Sequence, residues 1–115
     1  MNKRRRNILH QVLDDLARLR DPISKGEALS IIQRAQTEVQ KCADEEDEAM
    51  DNMPESFQWS AAVEDKAENV SDLNDASLEL ECLYAQCEEA EGFYYLLIKD
   101  AIANVVNLIK QTIHR

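Results

Sequence analysis

Only four residues in this chain of 115 can interrupt a helix: Pro22, Gly26, Pro54 and Gly92. The stretches between them are rich in Ala, Leu, Glu, Gln, Lys and Arg, whose side chains lose little freedom in a helix. Sheet proteins need turn residues far more often, so the fold class is all-α, a single helical hairpin or bundle with coiled-coil-type seams. A chain of this length buries roughly two thirds of its unfolded surface, enough for a core without metal or disulfide. The cysteines, Cys42, Cys82 and Cys87, are odd in number, and the basic start does not lead into an apolar leader. Both features predict a reduced, cytoplasmic setting, with the three thiols packed as small hydrophobes. The most apolar stretch, 93–113, carries Lys99, Asp100, Asn104, Asn107 and Lys110. A membrane span needs about 20 mostly apolar residues, so no membrane association is expected.

Apolar periodicity divides the chain into helices at about 7–20, 25–51, 60–91 and 93–113. In the first, Ile8, Leu9, Val12, Leu13, Leu16 and Leu19 share a face, and Asp21 before Pro22 ends the run. The second begins with a capping box, Ser24 to Glu27, with Ile23 as a staple onto Ala28. Its seam is Ala28, Ile32, Ala35, Val39, Cys42, Glu46, Ala49 and Met53, in which Glu46 is the one flaw. Pro54 forces a break in a segment that also holds Phe57 and Trp59. The next heptads place Val63, Val70, Ser77 and Tyr84 in one register and Leu73, Leu80 and Cys87 in the other, widened by Ala76, Leu83 and Ala90. The frame continues through Gly92, with Ile98 and Val105 in the first register and Tyr94, Ala101 and Leu108 in the second. One helix over 61–112 therefore competes with two, and a break or kink at Gly92 is the expectation. A second apolar face, Tyr95, Ile102, Val106, Ile109 and Ile113, predicts burial from two sides and self-association as a homodimer.

The net charge of −10 is segregated: residues 1–34 carry +4, residues 35–95 carry −16 and residues 96–115 carry +2. The acidic run from Asp44 and Glu45 through Glu46, Asp47 and Glu48 to Asp51 and Glu55 packs together carboxylates that repel one another. Such a run is either a solvated helical face or a surface that attracts a basic site, and nucleic-acid mimicry is one form of the second. Candidate partner-binding residues are Asp44, Glu45, Asp47, Glu48, Asp51 and Glu55, with Phe57 and Trp59 as aromatic anchors or as the plug of a hairpin end. The basic start, Lys3 to Arg6, reads either as a disordered solubilising tip or as a contact for an acidic partner. Direct nucleic-acid binding is disfavoured by repulsion from the rest of the chain.

Motifs that carry chemistry are missing from the sequence. There is no glycine-rich phosphate loop, and His10 and His114 have no local partners. The spacing of Cys82 and Cys87 is not that of a metal pair, and Asp14-Asp15 and Glu88-Glu89 lack the Glu-x-x-His of di-iron bundles. No catalytic residue, metal or cofactor is expected, and a nucleotide-binding role is disfavoured.

The segment 44–58, with its Asp-Asn-Met-Pro-Glu-Ser turn, and the heptad Val70-Ser71-Asp72-Leu73-Asn74-Asp75-Ala76 resemble small acidic helical proteins encoded by phages and prophages. These share a Met-Asn-Lys-Arg start, an acidic helix, an Asn-hydrophobic-Pro-Glu-Ser turn and a second acidic heptad helix. The resemblance covers about the first 90 residues; Pro22 with 24–27, and the apolar C-terminal helix, depart from it. It implies phage origin and helical architecture, and no reaction. The expected function is therefore a non-enzymatic interaction protein that occludes a basic surface of a host or phage protein, as an anti-defence inhibitor would. The alternative is a structural or assembly accessory acting through coiled-coil self-association.

Overall fold

The computed structural model describes the chain except Pro22, Gln58, Trp59 and residues 91–93; the side chains of Phe57 and of residues 94–97 also lie outside it. Four helices account for the described fold: α1 (Lys3–Ala17), α2 (Lys25–Asp51), α3 (Ala61–Glu89) and α4 (Tyr94–His114). Successive helices run antiparallel. Gln36 Nε2 donates to Ser77 Oγ and Glu46 accepts from Asn69 across α2 and α3, while Asn104 and Arg115 reach Glu79 and Asp72 from the α4 side. The shorter α1 lies along α2 and closes the bundle against α4, giving a molecule of 54 × 22 × 18 Å.

The apolar stripes read from the sequence meet at the centre. From α2, Ala28, Ile32, Ala35, Val39 and Cys42 are buried; from α3, Leu73, Ala76, Leu80, Leu83 and Cys87. From α4, Ile98 and Val105 join them, and so do Ile102, Ile109 and Ile113 of the second apolar face. Their cover comes from within the chain, because Leu9, Val12, Leu16 and Leu19 of the first segment pack over them. Val106 is partly buried against the same core, and the Tyr95 side chain lies outside the described residues. The premise that one chain could not cover both faces therefore fails: α1 is the second cover.

Three boundaries differ from expectation by two residues or more, each for a physical reason. The first helix starts at Lys3, because the Asn2 side chain accepts from Arg5 N at 2.9 Å and caps it. The basic start is thus helix and not a disordered tip. After Ala17 the chain tightens into a 3-10 turn, Arg18–Arg20, and Asp21 is extended, as a residue before proline must be. The start of α2 is as expected, with Ser24 Oγ accepting from Glu27 N at 3.1 Å. At the other boundary, α3 ends at Glu89 and Ala90 leaves the helix with ψ 135°. Lys25 Nζ donates to the carbonyls of Glu88 and Ala90 there, at 2.8 Å each, satisfying orphan acceptors of the α3 end. The expected break at Gly92 itself lies outside the described residues, but α4 returns antiparallel along α3, so the two are separate helices. Of the three thiols, Cys42 and Cys87 are buried as expected, whereas Cys82 is exposed.

Candidate interaction surface

The start of α1 and the end of α2 lie side by side, and each carries the wrong charge for its helix. Four cations occupy the first turn of α1, at the positive end of its dipole, and the acidic run occupies the last turns of α2, at the negative end. Two cross-pairings relieve part of this. Arg4 pairs with Glu45 on the surface, and Arg5, itself buried, pairs with the fully buried Glu46 at 2.9 Å. The flaw in the α2 seam is thus the centre of a network. Glu46 Oε1 also accepts from Arg5 Nε at 3.0 Å and faces Lys66 Nζ at 3.7 Å, while Oε2 accepts from Asn69 Nδ2 at 3.2 Å. Asn69 passes the network on, since its Oδ1 accepts from Arg115 at 3.1 Å. Arg115 in turn pairs with Asp72 at 2.8 Å and Glu68 at 3.2 Å.

Burial alone would push the Glu46 carboxyl up. The Asn69 hydrogen bond and the charges of Lys66, the amino terminus and Arg5 outweigh burial and hold it below the ordinary carboxylate value. With both oxygens engaged, this carboxylate is a structural anchor joining α1, α2, α3 and the chain end beyond α4. A buried ion pair of this kind adds little net stability, and it fixes which helix faces meet. Glu46 stood out in the sequence as a break in an apolar seam. Asn69, seven residues before Ala76, is a polar residue in the register that widens the α3 stripe, a signal the sequence reading passed over, whereas Arg115 follows the last apolar residue and interrupts nothing.

With Glu45 paired to Arg4 and Glu46 drawn inward, the acidic run splits. Asp44, Asp47, Glu48 and Asp51 are exposed and make no ion pair among the described residues. Asp44 accepts a hydrogen bond from Gln40 at 3.0 Å, and Gln40 also donates to Asn74 of α3. The four carboxylates span about 10 Å of helix at 1.5 Å per residue. That is one charge per about 3 Å, close to the 3.4 Å phosphate spacing along one nucleic-acid strand. Glu55 continues the surface, exposed in the 3-10 turn Glu55–Phe57. Trp59 and the Phe57 side chain, the expected aromatic anchors, lie outside the described residues. Exposed Glu64, Asp65, Glu68 and Asp75 add negative charge along α3.

Among the described residues no group of three or more His, Cys, Asp or Glu is placed to hold a metal ion, and no helix is long and apolar enough to cross a membrane. The chain matches no family model, no curated protein and no solved structure.

Proposed function

We propose that the protein is a non-enzymatic binding protein whose acidic α2–α3 face occupies a basic, nucleic-acid-handling surface on another protein. The observation that carries this reading is the unneutralised stripe Asp44, Asp47, Glu48 and Asp51 at the end of α2. Mutual repulsion and the helix dipole both oppose carboxylates there, so folding alone gives no reason to keep them. Their spacing suits a site built for phosphates. The resemblance to phage-encoded acidic proteins points to a host defence protein as the partner and to inhibition by occlusion as the outcome, in the host cytoplasm. The assembly alternative draws less support, because Ile102, Ile109 and Ile113, which were to carry it, are core residues of one chain.

The test is capture from a bacterial lysate that contains defence proteins, using wild type and the quadruple variant D44N/D47N/E48Q/D51N. The proposal expects a nucleic-acid-binding protein held by wild type at about 50 mM salt, released by about 500 mM and not held by the variant. Equal retention by both chains, or retention indifferent to salt, contradicts it.

A further inference from the structure

The other side of the bundle has the opposite character. Between α1 and α4 runs a cleft of about 490 Å³, floored by Leu16, Ile102 and Val106 and rimmed by Arg20, Lys99 and Lys110. These three cations make no ion pair among the described residues, whereas Arg4, Arg5, Lys66 and Arg115 are all paired. Lys99 and Lys110 stand 11 residues apart on α4, about 16 Å along the axis. An occupant of this cleft therefore needs an apolar projection between negative charges.

The same chain carries such a projection. Leu78 on α3 is 59% exposed and is the one large hydrophobic side chain so exposed among the described residues. Asp75 and Glu81, both exposed, lie three residues to either side of it on the same helix face, about 9 Å apart along the axis. The knob and its two carboxylates fit within the span between Lys99 and Lys110. We infer that the α1–α4 cleft receives the Leu78 ridge of a second copy of this chain, with Asp75 and Glu81 meeting its cationic rim. Knob and cleft are different patches, so every copy offers one of each. The buried area is small, and the contact is correspondingly weak. It is independent of the acidic stripe at the end of α2, and its floor is the edge of the second α4 face, at Ile102 and the partly buried Val106, that α1 leaves open.

Sedimentation velocity on the full chain tests this from about 10 to about 500 µM, at about 150 mM salt so that repulsion between acidic copies is screened. Wild type is expected to self-associate within that range, and L78K or K99E/K110E each to weaken association at least about tenfold. All three positions are exposed, and circular dichroism checks that each variant keeps its helices. The decisive arm mixes the two variants. L78K keeps an intact cleft and K99E/K110E an intact knob, so the mixture should associate where neither variant does alone. A wild type that stays monomeric to about 500 µM, or a mixture no more associated than its components, overturns the inference.

Discussion

Glu46 shows how one side chain can be a defect in a sequence pattern and a keystone in the fold. Placed at a seam position and fully buried, it would unfold the bundle were it unpartnered, and Arg5, Lys66 and Asn69 supply its partners. Replacing it by alanine leaves Arg5 buried without a counter-charge, which should cost about 3–5 kcal/mol in urea unfolding. Removing both charges, as in R5M/E46L, should cost much less than E46A alone; an equal or larger loss would contradict this account of the pair. The carboxyl's lowered pKa also gives a pH signature. The native state favours the ionised form, so its contribution is complete above the ordinary value of 4.5 and is lost as pH falls through the folded value. Thermal melts between about pH 6 and pH 3 should therefore fall more steeply for wild type than for E46Q.

At the scale of the element, legibility in the sequence followed the strength of local signals. The start of α2 was legible because a hydroxyl followed three residues later by a carboxylate satisfies orphan amides wherever it occurs, and Ser24 does so here. S24A should cost about 1 kcal/mol and S24D little, measured by chemical denaturation. The start of α1 carried conflicting signals, since Asn2 is a good N-cap but Lys3 to Arg6 is a poor first turn by the dipole rule. The Asn2 cap and the counter-charges of Glu45 and Glu46, some forty residues away, together make it helical. The same limit applies to the second face of α4. Periodicity showed that Ile102, Ile109 and Ile113 must be covered, and only the tertiary arrangement shows that α1 does it. Within the candidate surface, the acidic run was visible as charge, but its division into paired Glu45, anchoring Glu46 and an open stripe needed the position of α1.

Taken whole, the molecule is a bundle with its charges sorted: α2 and α3 carry most of the carboxylates, and cations rim the cleft between α1 and α4. Leu78 is the one large hydrophobic side chain that stands exposed among its described residues. The proposed recognition through the acidic face would be electrostatic, and its signature is a steep dependence on salt. The most direct measurement is the affinity for a captured partner as a function of salt, for wild type and for D44N/D47N/E48Q/D51N. The account predicts a loss of affinity on the order of 10²-fold between about 50 and 200 mM salt for wild type, with a slope shallower by several units in the variant. Identical slopes for the two chains, or an affinity that salt leaves unchanged, would contradict the claim that these four carboxylates are the binding surface.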